Sequence, residues 1–510
     1  MLKSPYGSAE MRNAPQLITY ADRFAGDLLG VLQMLDGPLA GAFGGVHVLP
    51  FFVPIDGADA GFDPIDHTAV DPRVGDWSDV ATLSERYDVM ADIIVNHVSD
   101  DSAEFRDWLA HGDASPSAGM FLTMSTVFPN GATESELAAI YRPRPGMPFT
   151  KVAMADGTTR LAWTTFTAKQ IDIDVVSVPG RAHLDRIVDR LATAGVTLIR
   201  LDAVGYAIKR AGTSCFMIPE TFDFIDAFAA QCRARGMTVL VEIHGYHRAQ
   251  IAIAERVDMV YDFALPPLVL DALFHADAGP LRTWLDIRPN NCVSVLDTHD
   301  GIGVIDVGAD PDDPSRPGLL PPERVEALIA GIHQRSGGTS RLATGAAASN
   351  LDVYQVNCTY FDALGRDEEA YLLARLIQVL VPGVPQIYYV GLLAGINDLD
   401  LLERTGVGRD INRHYYGPRE LLTELERPVV RQLLALLRWR ADHPAFDGEF
   451  VVNPAEAGDH LLSLSWVSVD GAHAVDVTLD LATRTFDMTE RGPDGSRRRT
   501  RFDEFARDDN

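Results

Sequence analysis

The stretch VTLIRLDAVGY, Val196 to Tyr206, runs from apolar residues straight into an arginine and then an aspartate. Side chains alternate along a strand, so Val196, Leu198, Arg200 and Asp202 share one face and Thr197, Ile199 and Leu201 the other. Both faces stay apolar until the C-terminal end. That is the pattern of a parallel strand covered on both sides, with its charged pair where such strands carry chemistry.

Seven other short apolar segments read the same way: QLITYA, GVHVLPFF, ADIIVNH, TVLVEIHGY, DMVYDFA, CVSVLDTHD and PQIYYV. Helical patterns lie between them. In RAHLDRIVDRLATAG, Leu184, Ile187, Val188 and Leu191 recur at helical spacing and Gly195 can close the helix. ETFDFIDAFAAQCRARG is another such pattern, ending at Gly236. Eight strands alternating with helices predict an α/β fold of the (β/α)8 TIM-barrel type, with a doubly wound open sheet as the competitor.

Two spacings exceed a plain barrel turn, so inserted subdomains are predicted over 98–176, after the third strand, and over 302–365, after the seventh. Barrel segments then cover 1–97, 177–301 and 366–445. From residue 446 the pattern alternates (LLSLSWVSV, HAVDVTLDL), which predicts a small C-terminal antiparallel β domain over 446–510, with RGPDGSRRRTRFDEFARDDN as a charged, peripheral tail.

Composition fits such a protein: 510 residues, 46% hydrophobic and 23% charged, give ample core and a chain long enough for roughly three units of about 150 residues. The net charge of −28 argues against nucleic acid and anionic membranes as partners. Any anion bound here must be held by local Arg or His. Cys215, Cys232, Cys292 and Cys358 show no CxxC spacing, and the N-terminal MLKSPYGSAEMRNAPQ has no continuous apolar run, so a reducing, cytoplasmic setting is expected. LIQVLVPGVPQIYYVGLLAGI is broken by Pro382, Pro385 and Gln386, and reads as a helix, a turn and a buried strand rather than a membrane span.

Asp202, Glu242 and Asp300 each follow a candidate strand, and in a barrel those ends share one rim. Retaining glycoside cleavage needs a carboxylate nucleophile and a protonated carboxyl about 5 to 5.5 Å apart. Arg200, on the Asp202 face, is expected to keep Asp202 ionised, while Glu242 would hold a proton and serve as acid, then base. Plainer readings exist. A lone Asp at a strand end can cap a helix, His97 can be a core histidine satisfied by a carbonyl, and Asp, Glu and His on a rim can bind a metal. No HxH or HExxH pair is present, so no metal is expected.

GADAGFDPIDH, IVNH, IRLDAVGY, EIHGY and VLDTHDGIGV, in this order, resemble the conserved regions of the α-amylase clan. FPNGATESELAAIYRPRPGMPFT, AGTSCFM, YDFALPPL, ATGAAASNLDVYQVN and GRDINRHYY extend the resemblance to its sucrose phosphorylase branch, over nearly the whole chain. The resemblance implies Asp202 as nucleophile, Glu242 as acid/base and Asp300 as transition-state stabiliser. It implies Asp59, Phe62, His97, Arg200, His299 and Arg409 around glucose, with Phe166 and Gln170 also binding substrate. On the acceptor side it implies Tyr206, Asp352 and Gln355 for fructose and Tyr141, Arg144, His244 and Tyr354 for phosphate. The implied reaction turns sucrose and inorganic phosphate into glucose 1-phosphate and fructose, with no metal or organic cofactor, in a homodimer. Alternatives are a phosphorylase of sucrose 6'-phosphate, glucosylglycerol or glucosylglycerate, or a non-catalytic sugar-binding barrel. NLDVYQ and YRPRPG carry no added cation for a sugar phosphate, and the three acids argue against a dead barrel. The small residues of AAASNLDVYQ (346–355) suggest a loop that exchanges Asp352 and Gln355, facing fructose, for Tyr354, facing phosphate.

Overall fold

A strand buried on both faces needs hydrogen-bonding neighbours on both edges, and Leu198–Asp202 has them. The computed structural model describes residues 11–57, 59–311, 313–344, 355–454 and 458–500. Strands β1 (Gln16–Thr19), β2 (Gly45–Val48), β3 (Asp88–Ile94), β4 (Leu198–Asp202), β5 (Thr238–Val241), β6 (Met259–Asp262), β7 (Cys292–Ser294) and β8 (Val384–Tyr388) pair in parallel in chain order. β8 then pairs with β1, Gln16 opposite Gln386, and closes the barrel. Closure rules out the open doubly wound sheet. All eight strands arise from the apolar segments read above, because a strand covered on both sides carries its signal in its own composition.

Register decides what meets at the rim. Arg200 of β4 lies opposite Asp92 of β3, and Leu201 lies opposite Val241 of β5, so Glu242 emerges one residue beyond β5 and beside Asp202. The helix before β4, Val178–Thr193, is capped by Ser177, which accepts from the Gly180 N–H, and buries Leu184, Ile187, Val188 and Leu191 as their spacing predicts. Gly195, at φ 82°, then turns the chain into β4.

Between β3 and β4, His97–Ser99 pairs antiparallel with Gln170–Asp172, which sets His97 and Gln170 on one ladder. A hairpin, Phe149–Ala153 with Thr159–Trp163, lies within the same excursion. Leu122, Phe128, Trp163 and Cys215 form a small core of their own there. After β7, Ile302–Gly303 pairs antiparallel with Gln355–Val356. The segment once suggestive of a membrane resolves into helix Glu368–Leu380, β8 and helix Tyr389–Leu392. Among the described residues no helix is long and apolar enough to cross a membrane.

Five antiparallel strands end the described chain: β9 (Glu449–Val452), β10 (Leu461–Val467), β11 (Ala474–Asp480), β12 (Thr485–Arg491) and β13 (Arg497–Thr500). Within the charged C-terminal segment, Arg497–Thr500 forms the edge strand β13, at the periphery of the sheet, with its three arginines exposed and Thr500 buried. Trp466 docks this sheet on the barrel, its Nε1–H donating to the Leu380 carbonyl at 2.6 Å.

One buried ion pair supports the rim from below. Arg375 Nη2 lies 2.9 and 2.7 Å from the two Asp297 oxygens, three residues before Asp300. Asp297→Ala would leave the guanidinium buried without its partner, an expected loss of about 3–5 kcal/mol. Urea unfolding followed by tryptophan fluorescence measures it; an unchanged midpoint would mean that Arg375 is satisfied without Asp297.

Candidate active site

One guanidinium organises the floor of the rim. Arg200 Nη1 lies 2.5 Å from Asp92 Oδ1 and 2.9 Å from Asp202 Oδ1, and its Nη2 lies 3.2 Å from Glu242 Oε1. The other Asp92 oxygen is 2.9 Å from His47 Nε2. Burial works against the Asp92 charge, yet His47 and Arg200 hold its carboxyl well below the ordinary range. Arg200 draws the Asp202 carboxyl down, as expected of it, but it is not the only influence there. Burial pushes that carboxyl upward, Arg200 pulls it down, and Glu242, Asp92 and Asp300 push it up again, with a net upward direction. The reason is that Arg200 is divided among three acids rather than dedicated to one.

Ala203, next to Asp202, takes a left-handed conformation (φ 53°), and its N–H donates to Glu242 Oε2 at 3.3 Å. The acid is thereby fixed by the backbone beside the candidate nucleophile. Asp300 faces two guanidinium groups, Arg409 Nη1 at 2.9 Å and Arg413 Nη2 at 4.0 Å, and His299 Nε2 at 3.7 Å, a ring whose pKa burial brings down to about 3. Burial would raise its carboxyl, but Arg409, His299, Arg413 and Arg200 together bring it well below the usual range. Two neighbouring acids are thus driven in opposite directions. The helix-cap readings do not hold, since Asp202 and Asp300 meet guanidinium groups instead of helix N–H groups.

The sugar-sized end of the cleft is apolar on its floor. Phe62 stacks on His299 with centroids 4.7 Å apart and planes at 9°. His97 Nε2 donates to the Phe62 carbonyl at 2.9 Å and lies 3.1 Å from the Gln170 amide. The plainer reading of His97, satisfied by a carbonyl, is therefore correct, and the ring still lines the cleft. Burial pushes its pKa down, so it is neutral near pH 7. Phe166 stands edge-on to His97 at 5.4 Å, and Asp59 Oδ1 lies 3.9 Å from Arg409 Nη1.

The outer end is aromatic and cationic. Tyr141 and Tyr206 stack at 6.2 Å, each against Phe216. Arg144 shares this wall. His244 stacks on Phe263 at 3.8 Å, its Nδ1 is 2.8 Å from Asp306 Oδ2, and its Nε2 is 3.3 Å from the Gln355 amide. Burial opposes a charge on His244, but Asp306, with help from Glu242 and Asp300, raises its pKa above the ordinary imidazole value. Apart from Arg200, buried beneath, the expected site residues that fall among the described ones line one cleft. Asp352 and Tyr354 lie outside the described residues, and so does most of the 346–355 loop.

Residues 10–271 match the family model of the α-amylase catalytic domain. The chain is 59% identical over 457 residues to a sucrose phosphorylase of Agrobacterium vitis, covering 89% of this chain and 93% of that one. The chain belongs to the sucrose phosphorylase branch of the α-amylase family. A sucrose phosphorylase of Bifidobacterium adolescentis is 54% identical, covering 89% of this chain and 90% of its own. Among solved structures, a sucrose 6F-phosphate phosphorylase from Thermoanaerobacter thermosaccharolyticum superposes with a TM-score of 0.89 at 35% identity, covering 98% and 99% of the two chains.

Several residues at this family site were missed in the sequence. Asp92 and His47 sit inside strands read only as apolar. Arg413 donates Nε–H to the His299 carbonyl at 2.9 Å and was quoted in GRDINRHYY without a role. Arg142 donates to the carbonyls of Thr165, Pro145, Met147 and Phe166, tying the loop that carries Arg144 to the Phe166 segment. Lys209 pairs with buried Asp172 at 2.6 Å beneath Gln170. Among the described residues one set of possible metal donors comes together, Glu242, His244 and Asp300, with donor atoms within 4.8 Å of one another. Its histidine is engaged by Asp306 through Nδ1, and Nε2 faces the cleft.

Proposed function

We propose that this chain is a sucrose phosphorylase that works by double displacement through Asp202. The observation that carries the reading is the pairing, in one cleft, of a carboxylate cluster around Arg200 with a cationic outer wall of Arg144 and His244. Asp202 attacks the anomeric carbon of the glucosyl unit while Glu242 gives its proton to the leaving fructosyl oxygen, and fructose departs from a β-glucosyl ester. Phosphate enters, its oxygen attacks the anomeric carbon, and the Asp202–carbon bond breaks. Any proton carried by the attacking oxygen passes to Glu242, and α-D-glucose 1-phosphate leaves with retention. Asp300, held ionised by its cations, supports the positive charge that develops on the sugar ring.

The scheme needs Asp202 ionised and the proton on Glu242 when sucrose binds, and both carboxyls lie against Arg200, at 2.9 and 3.2 Å. The Phe62–His299 floor suits the apolar face of a pyranose ring, and Asp59, His97, Gln170 and Arg409 offer hydrogen bonds at its edge. Four buried, unpaired cysteines support a cytoplasmic setting; a homodimer, which the family implies, is checked by light scattering.

Incubation with sucrose and phosphate should yield α-D-glucose 1-phosphate and fructose in equal amounts. Sucrose consumption with only free glucose formed would overturn the phosphorylase reading. Arg144→Ala should weaken phosphate use by about 10- to 100-fold while sparing formation of the glucosyl ester, so products shift toward free glucose. A ratio of glucose 1-phosphate to glucose that stays constant across phosphate concentrations would remove Arg144 from the phosphate site. Dialysis against EDTA should leave activity intact; loss restored by a divalent ion would show a metal requirement.

A further inference from the structure

A buried carboxylate holds the acceptor wall from behind. Asp306 is fully buried on the short turn Ile305–Val307. One of its oxygens accepts from His244 Nδ1 at 2.8 Å; the other accepts from the Gly245 N–H at 3.0 Å and from Gln250 Nε2 at 2.7 Å. Three donors from the β5 end and the helix after it therefore converge on one carboxylate. Phe263 lies flat against the imidazole at 3.8 Å and fixes the ring plane. Gly303 completes the cradle, because a Cβ there would stand 2.4 Å from Asp306 Oδ2 and 3.2 Å from His244 Nδ1.

We propose that Asp306 is a positioning residue for phosphate: it holds the His244 Nδ1–H so that the Nε2–H points into the acceptor end of the cleft as a charged donor. This rests on the phosphorylase reading. A carboxylate can only accept, so Nδ1 must carry a proton, and a protonated Nε2 then needs an acceptor of its own. The Gln355 amide nitrogen lies 3.3 Å from His244 Nε2, and since an imidazolium and an amide N–H are both donors, the amide must turn over to offer its oxygen when the ring is charged. A phosphate oxygen is a better acceptor by charge. Fructose, a neutral polyol, gains far less from an imidazolium, so the device favours the second substrate over the first product.

The charged groups facing His244 are Asp306, Glu242 and Asp300, with Arg144 lining the same cleft. Carboxylates dominate, which favours the imidazolium in the free enzyme. The sign follows. The donor is present below the raised pKa of His244 and is lost as pH rises through it, so phosphate use falls on the alkaline side.

The test compares Asp306→Asn with the parent enzyme at the same pH, so that titration of phosphate itself cancels. The variant should show a KM for inorganic phosphate raised about 10- to 100-fold at pH 7.5, a matching fall in glucose 1-phosphate relative to glucose, and recovery toward pH 6 as the released histidine charges. In a His244→Ala background the same substitution should add nothing. A merely structural role would lower phosphorolysis and hydrolysis together with no change in their ratio, and that result would overturn the proposal. Gly303→Ala disturbs the pair from the other side and should shift the ratio in the same direction. If Asp306→Asn does not fold, the His244 ring resonance of the parent, assigned with His244→Ala, should titrate above the ordinary value of about 6.5. Titration at or below that value would also overturn the proposal. Absence of glucose 1-phosphate from the parent enzyme would instead sink the phosphorylase reading and leave the resonance test standing.

Discussion

Asp202→Ala is expected to lower sucrose phosphorolysis by on the order of 10⁴-fold or more. The size follows from the lack of a substitute. Asp300, the other acid nearby, is committed to Arg409 at 2.9 Å and Arg413 at 4.0 Å, and Asp92 lies buried between His47 and Arg200. Neither can move to the anomeric carbon without breaking a buried ion pair. Glu242 is tethered by Arg200 and by the Ala203 N–H. The variant should still fold, because Asp202 is partly exposed at its strand end and Arg200 keeps two acids. Discontinuous assay of glucose 1-phosphate, with circular dichroism as the folding control, measures the effect. Activity within tenfold of the parent would place the nucleophile elsewhere.

The residues that could be read in advance are those whose signal is local. β4 announced itself because Val196 and Leu198 on one face and Ile199 and Leu201 on the other are apolar, and Asp202, Glu242 and Asp300 followed from their places at or just past strand ends. The pair His97 and Gln170 shows the limit. They share an antiparallel ladder 73 residues apart in sequence, and only the resemblance joined them beforehand. Asp306 is 62 residues from His244 and carries no local pattern, since an aspartate in a turn is ordinary until its partner is known. Arg142 was hidden for a different reason. Its partners are carbonyl oxygens, which every residue has, so nothing in YRPRPG distinguishes it from Arg144 beside it. Arg200 was legible on the Asp202 face, but its contacts to Asp92 and Glu242 were not. Its position on the Asp202 face is a matter of period, whereas its sharing with Asp92 depends on the register of β3.

Glu242→Gln should separate two donors and, after them, two acceptors. The variant keeps the side-chain length, and the Gln amide oxygen can still accept from the Ala203 N–H. What it lacks is the proton. Fructose leaves as an alcohol and needs that proton, so sucrose cleavage should fall about 10² to 10⁴-fold. Fluoride leaves α-glucosyl fluoride as an anion and needs none, so ester formation from that donor should change far less. The same logic governs the second half. Water must lose a proton as it attacks and so depends on a base, while a phosphate dianion attacks with an oxygen that is already deprotonated. Removing the Glu242 charge also lowers repulsion toward that dianion beside Asp300. With α-glucosyl fluoride as donor, the variant should therefore make glucose 1-phosphate readily and free glucose hardly at all, a product ratio above that of the parent. Equal damage to both donors would show that Glu242 is not the acid. Hydrolysis that persists while phosphorolysis is lost would show that it is not the base.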